Sequence, residues 1–421
     1  MDRRLFLSAA PLVLAPLAAK AVPSERINLC VVGVRGRGKG LGLAFAKLPG
    51  AQVSHVCDVN TAYLEPYAKS IEAVQKSKPK MEQDLRKVLD DPGVDGLVVA
   101  TPDHWHALAT IWGCQKKKHV YVEKPVSHDV NEGRKMVEAA RAHERVVQAG
   151  TQSRSVPHYI EAIKHIRDGK LGKVHMAKAW NSQFRRRVDA VKDSPTPKGL
   201  DWDIWQGPAE EKPFNANRYT YGWRWLWEYG TGDMGNDGVH DLDIARWGLG
   251  VGFPSAVTCV GDKLFHAGDM QETPDTQIVT FSYPEQKAVL VYEQRLWSPY
   301  HQEGHENGVA FYGSEAYMII GRRHWKVVGR KNKVVFDKAA PFSDTPHQQD
   351  FLDRIKDGKR PACDIEDGHL SSALAHLGNL SCRVGRPLKL DPKTESVLGD
   401  DEAQKLMKRA GRKGYEIPEK P

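Results

Sequence analysis

The hydrophobic pattern changes once along the chain. From Ile27 to about Gly150, short apolar runs alternate with amphipathic stretches. The runs INLCVVGV, AQVSHVCD, VDGLVVAT, KHVYVEK and RVVQAGT do not alternate strictly between apolar and polar positions. β-Rich runs without a polar face suit strands covered on both sides of a parallel sheet. Between them, segments such as EQDLRKVLDD and NEGRKMVEAARAH carry apolar residues at helical spacing. Strand–helix–strand repetition of this kind predicts a doubly wound α/β domain.

After Gly150, HYIEAIKHIRDGKLG reads as one helix closed by glycine. A series of strands follows: KVHMAKAWNS, SAVTCVGD, TQIVTFSY, AVLVYEQRL, NGVAFYGS, AYMIIGR, WKVVGR and NKVVFD. Turn residues separate them at hairpin spacing, which predicts an open antiparallel sheet in a C-terminal α+β domain. Helices at QQDFLDRIKDG and GHLSSALAHLGNLSCRVG close it. The expected division is residues 1–21, 22–150, 151–391 and a basic tail, 392–421, strapped over the surface. The chain shows no internal repeats and no low-complexity linker.

At 421 residues the chain is long enough for two cores. Its one long apolar run, Leu5 to Ala19, follows Arg3 and Arg4. The run is short and broken by proline, unlike a transmembrane helix. Ala19-Lys20-Ala21 supplies a small–x–small cleavage pattern, so residues 1–21 read as a signal peptide. The paired arginines before Leu5-Phe6-Leu7 resemble a twin-arginine signal, which exports folded proteins and implies a periplasmic or other extracytoplasmic location. Removing that segment takes away three basic residues and one acidic one, lowering the net charge from +8 to +6. No basic stripe interleaved with aromatics appears, which argues against nucleic acid as a partner. The six cysteines show no CxxC spacing and read as buried free thiols, with one disulfide between the late cysteines left open.

In VVGVRGRGKG a strand ends at Gly33 and a helix begins near Gly38. The dinucleotide turn G-x-G-x-x-G uses its glycines for a tight turn, for close approach to pyrophosphate and for helix–strand packing. Gly33 and Gly38 fit the outer positions, and Arg35 replaces the middle one. Either Gly36 supplies the bare backbone, or Arg35 turns outward to meet phosphate charge. Gly33, Arg35, Gly36, Arg37 and Gly38 are therefore the candidate cofactor turn of a Rossmann domain. Asp58 ends the next strand, where a carboxylate accepts hydrogen bonds from a ribose and repels a 2′-phosphate. This favours NAD over NADP.

The turn, VVATPDHWHA and HVYVEKPVSH together resemble the Gfo/Idh/MocA oxidoreductases, with EKP the most specific mark. GNDGVHDLDIARWGLG is similar to that family's second-domain helix with its Asp-x-x-x-His pair. The resemblance implies a nucleotide-binding domain, a substrate domain and homo-oligomers formed through the C-terminal sheet. It assigns Lys124 and His240 as the acid/base pair and puts Asn236 at the family aspartate. Asparagine cannot take a proton but can orient a hydroxyl, and Asp233 or Asp237 can restore the charge. The resemblance also gives the domain a sugar hydroxyl as substrate and a hydride as the group transferred. Oxidising such a hydroxyl releases a proton, and a lysine near a cationic ring or a histidine titrates where a base is needed.

Thr101, Pro102 and His104 end a strand where ligands of open α/β sheets gather, and Glu123 precedes Lys124. Gln152, with the cofactor, and Arg154, with the substrate, follow the sixth strand. In YGWRWLWEYG, Trp223 and Tyr229 are candidate platforms for a sugar face, alongside a reading as core, and Asp237 completes the substrate set. Arg185–Arg187 read either as a carboxylate site or as a solvated run. Asp103, His104 and His106, or His240, Asp241 and Asp243, lack the spacing of a zinc motif, so no metal is expected. The leading expectation is an NAD-retaining sugar oxidoreductase. The alternatives are glycoside cleavage through transient ring oxidation and elimination, and a non-catalytic sugar-binding protein.

Overall fold

The computed structural model describes residues 26–421, so the predicted signal segment, 1–21, lies outside the described residues. The first sheet comprises β1 (Ile27–Val32), β2 (Ala51–Cys57), β3 (Lys80–Glu82), β4 (Gly96–Val99), β5 (His119–Val122) and β6 (Val147–Ala149). Every pairing in it is parallel, in the order β3-β2-β1-β4-β5-β6. The order reverses between β1 and β4, the switch point at which such sheets bind ligands. β3 was not legible as an apolar run: Lys80 and Met81 are exposed at the sheet edge.

The second sheet comprises β7 (Val174–Asn181), β8 (Ala256–Asp262), β9 (Thr276–Tyr283), β10 (Ala288–Arg295), β11 (Asn307–Gly313), β12 (Tyr317–Gly321), β13 (His324–Val328), β14 (Val334–Ala339), β15 (Leu388–Asp391) and β16 (Ser396–Leu398). Their order is β14-β13-β12-β11-β7-β10-β9-β8-β15-β16. The sheet is mixed rather than antiparallel throughout, because β7 lies in its centre parallel to β10. An excursion of the chain between β7 and β8 carries much of the candidate site. β16 and the helix Asp401–Lys405 belong to the segment expected to be a plain tail.

Local signals explain the helices that frame the cleft. Asp129 accepts from Glu132 N at 2.8 Å, and Glu132 reaches back to His128 N at 2.9 Å, a reciprocal cap for Val130–Ala142. Asp364 caps Ile365–Val384, which ends at Gly385 with φ 68°. One face of the second sheet packs against Pro157–Arg167, Val239–Leu249 and Ile365–Val384. Later segments also finish the first sheet's two faces. Phe351 joins Phe45 and Tyr121 on one, and Cys363, Ile365 and Tyr415 join Trp105 on the other. Tyr415 lies edge-on to Trp105 at 5.7 Å, while Arg409 bonds Glu132 and the His104 carbonyl, both at 2.7 Å.

All six cysteines are free, and the late pair, Cys363 and Cys382, is not bridged. No helix among the described residues is long and apolar enough to cross a membrane.

Candidate active site

The cavity starts at the turn after β1. Gly33 has φ +83°, and a Cβ there would stand 2.8 Å from the Ala100 carbonyl oxygen. A Cβ on Gly38 would meet the Gly33 oxygen at 1.7 Å, so the helix Gly36–Phe45 can press onto the turn only with glycine there. Gly38 thus serves packing and does not line the cavity. Nothing lies within 4 Å of a Cβ placed on Gly36, which leaves bare backbone beside the cavity. Arg35 turns outward, its guanidinium 4.9 Å from the Tyr63 ring and 5.7 Å from that of Tyr219. The bare backbone at Gly36 and the outward Arg35 are the features on which the two options for the missing middle glycine depend. Arg37 is engaged by Glu123 at 2.8 Å and Asp344 at 2.7 Å. Burial opposes ionisation of Glu123, but Arg37 and Lys124 outweigh it and hold the carboxyl below its usual range.

Asp58 follows β2 directly, accepting from Val34 N at 3.0 Å and Asn60 N at 2.9 Å. Burial pushes its carboxyl up despite those donors. The cavity, about 610 Å³, runs from this carboxylate past Thr101 and Pro102 to Lys124, Asn236 and His240. Gln152 and Trp223 also line it. Thr101 Oγ1 and Gln152 Oε1 are buried there without a hydrogen-bond partner. Orphaned polar atoms of this kind are costly unless a ligand satisfies them.

At the far end, Lys124 donates from Nζ to the Asn236 carbonyl. Asn236 lies in a π-turn, Met234–Gly238, that leads into Val239–Leu249 and so places Asn236 and His240 on one wall. The Asn236 amide donates to Asp233 at 2.8 Å. Arg185 bonds Asp233 at 2.8 Å and also pairs with Asp237, which fixes the turn. Asp237 stands just outside the lining. Burial opposes its ionisation, but Lys124, Arg185 and His240 outweigh it and keep the carboxyl below its usual range. Burial and the Lys124 charge push the His240 imidazole down to about 3, so the ring is neutral near pH 7.

Three expected ligand contacts lie elsewhere. His104 is fully buried, its ring nitrogens facing the Trp205 and Tyr229 carbonyls at 2.9 and 3.3 Å. Arg154 is locked to Asp243 in the core of the second domain. Tyr229 is buried against Trp205 and His104, with ring centroids at 5.0 and 5.3 Å. None of the three lines the cavity. Of the arginine run, Arg185 is held in its ion pairs and Arg187 pairs with Asp189 at the surface. Among the described residues, no group of three or more His, Cys, Asp or Glu is placed to hold a metal ion.

The cavity also takes residues that sequence reasoning missed as ligand contacts: Asp103, His106, Arg224, Arg322, Phe342 and Asp344. Asp103–Trp105 forms a turn of 3-10 helix, in which residues three apart share a face. That period brings Asp103 and His106 to the cavity and sends His104 away from it. Arg322 and Asp344 lie in loops with no motif to mark them.

Comparison with known proteins agrees with this architecture. Residues 27–151 match the profile described as "oxidoreductase family, NAD-binding Rossmann fold", GFO_IDH_MocA. Residues 170–280 and 331–417 match that family's "C-terminal alpha/beta domain". The chain is similar to scyllo-inositol 2-dehydrogenase (NAD(+)) of Bacillus subtilis, 25% identical over 88% of this chain and 98% of the relative. It also resembles in fold the levoglucosan dehydrogenase solved with NADH and levoglucosan, with TM-score 0.67, 18% identity, and coverage of 86% of this chain and 99% of that one. The aldose-aldose oxidoreductase from Caulobacter crescentus, complexed with glycerol, gives TM-score 0.66 at 19% identity, covering 87% of this chain and 100% of the other.

Proposed function

The chain belongs to the Gfo/Idh/MocA oxidoreductase family, and from that premise we propose that it oxidises a secondary hydroxyl of a sugar or sugar derivative with NAD that it retains and recycles. One observation carries the reading: Lys124, the Asn236 turn and His240 converge in the cavity that also contains the glycine turn and Asp58. The bare backbone at Gly36, the helix N-terminus and the orphaned Thr101 and Gln152 oxygens fit a dinucleotide. Asp58 would hold its ribose and disfavour a 2′-phosphate, hence NAD over NADP. Bound there, NAD supplies the hydride acceptor.

The protein's own part is proton management. His240 is the acceptor for the hydroxyl proton: burial and Lys124 keep its ring neutral but also make it a weak base, so the transfer relies on the Asp237 carboxylate, which favours the protonated ring. Lys124, held by the Asn236 carbonyl, offers its charge and remaining donors to the oxygen from which that proton leaves. Asp237, ionised beside both, replaces the negative charge that Asn236 lacks.

Retention draws support from the excursion after β7. Gly199 and Asp201 bond to the chain at the end of β2: Thr61 N donates to the Gly199 carbonyl at 3.0 Å, and Asp201 N donates to that of Val59 at 2.9 Å. Asn60 reaches the Tyr219 hydroxyl at 3.0 Å. A strap across the Asp58 end of the cavity slows exchange, which suits a protein exported by residues 1–21 to a compartment without a cofactor pool. Denatured protein should release nicotinamide dinucleotide, and protein that neither carries nor binds it refutes the reading. Lys124→Ala and His240→Ala should each lower sugar oxidation at least about a hundredfold. Aglycone released from an aryl glycoside, with the cofactor's oxidation state unchanged, would favour cleavage over oxidation.

A further inference from the structure

The cavity holds more positive charge than this chemistry uses. Arg37 is satisfied by two carboxylates, and Arg35 stands by the glycine turn. At the other end are Lys124, Arg224 and Arg322. Arg224 stacks on Trp223 and Tyr221, 4.3 and 4.4 Å from the ring centroids, and donates to the Tyr221 carbonyl at 3.2 Å. Its planar fork is held in place with several N–H groups left over. Burial pushes its pKa down, the direction taken by a cation short of counter-charge. Arg322 stands at the cavity mouth in the turn between β12 and β13, 5.7 Å from the Phe342 ring.

Among the described residues, neither Arg224 nor Arg322 forms an ion pair with a carboxylate, whereas Arg185 has two such partners. Asp103, near Arg224, accepts from Thr231 at 2.8 Å, and burial pushes its carboxyl up. Burial does the same to Asp241 near Arg322, while Asp237 and Asp233, the other carboxyls near these two arginines, are already paired with Arg185. A partly buried guanidinium without a counter-ion is expensive unless a ligand brings one. With NAD bound as proposed, the oxidised nicotinamide ring would add further positive charge.

Building on the oxidoreductase reading, we propose that the substrate is an acidic sugar whose carboxylate or phosphate is bound by Arg224, with Arg322 adding attraction at the mouth. A bidentate guanidinium–oxyanion contact should favour an acid over its neutral parent at least about tenfold, and less at high salt. The test is calorimetric titration of the purified full chain, with and without added NAD. The probes are D-glucose, D-glucuronate and D-glucose 6-phosphate, with D-galactose and D-galacturonate as a second set. The tighter acid in the gluco set distinguishes carboxylate from phosphate.

Arg224→Gln should collapse the acid-to-neutral ratio towards one, and Arg224→Lys should restore part of it. The proposal is overturned if no acid binds more tightly than its neutral parent in either set, or if Arg224→Gln keeps the wild-type ratio. If that variant fails to fold, the wild-type ratio and its salt dependence decide. Absence of NAD binding would defeat the oxidoreductase reading, while the acid-to-neutral ratio would still judge this one.

Discussion

Arg154 separates the sequence expectation from the structure. Its guanidinium meets Asp243 through contacts of 2.8, 2.9 and 3.0 Å, and Asp367 at 3.2 Å. The side chains of Arg154 and Asp243 are 4% and 0% exposed. Ser371 donates to Asp243 at 2.6 Å, and Trp247 lies under the guanidinium at 5.2 Å. Arg154→Met keeps apolar bulk but strands a buried carboxylate with only Ser371 for company. Breaking such a pair costs about 3–5 kcal/mol. With an unfolding entropy of about 2.1 cal/mol/K per residue, a chain of this length should lose about 3–6 °C in Tm. Arg154→Met combined with Asp243→Leu removes both charges and should recover much of the loss. Scanning calorimetry reads the stability and initial-rate kinetics read the sugar KM. A Tm within 1 °C of wild type with KM raised more than about tenfold would refute the structural role and return Arg154 to the substrate.

If Asp58 holds the ribose as proposed, Asp58→Ser should weaken NAD at least about tenfold and narrow the proposed preference over NADP, as read by fluorescence titration; an unchanged preference would remove Asp58 from the ribose. Burial pushes the imidazoles of His104 and His376 down to about 3, against about 6.5 when unfolded. The unfolded chain therefore binds more protons below pH 6.5, and stability falls as the pH drops towards 3. Each ring should contribute a loss of about 2 kcal/mol by pH 5. Urea midpoints at pH 7 and pH 5 check this, and His376→Asn should flatten the difference. The second sheet exposes Ile278, Val260 and Val289 on its outer face. If a second copy covers that face, Ile278→Glu should yield monomers by light scattering; an unchanged assembly would put the interface elsewhere.

The parallel sheet was legible because short unbroken apolar runs alternate with amphipathic stretches: strands covered on both faces carry no polar side, whereas the helices between them do. This pattern missed β3, whose edge position leaves Lys80 and Met81 in water. It also missed the central placement of β7, because a strand's own residues do not say which neighbour it pairs with. Glycine spacing and EKP located both ends of the cavity. His104 and Arg154 misled because local sequence gives a side chain's chemistry without its direction. A turn of 3-10 helix and a buried aspartate from a distant helix decided those directions. Arg224 lay unmarked within an aromatic run, and Arg322 was an ordinary turn residue until folding brought it to the cavity.

Tyr415, late in the chain, belongs to the core of the first sheet. The phenol completes the hydrophobic layer around Trp105 in a sheet whose strands are synthesised much earlier. Until that residue arrives, the nucleotide half carries an unfilled apolar notch beside its ligand cleft. A ribosome-released fragment stopping after β6 would present bare indoles to chaperones and proteases. The segment around Tyr415 thus seals the Rossmann half, and a chain lacking it would be sticky rather than partly active.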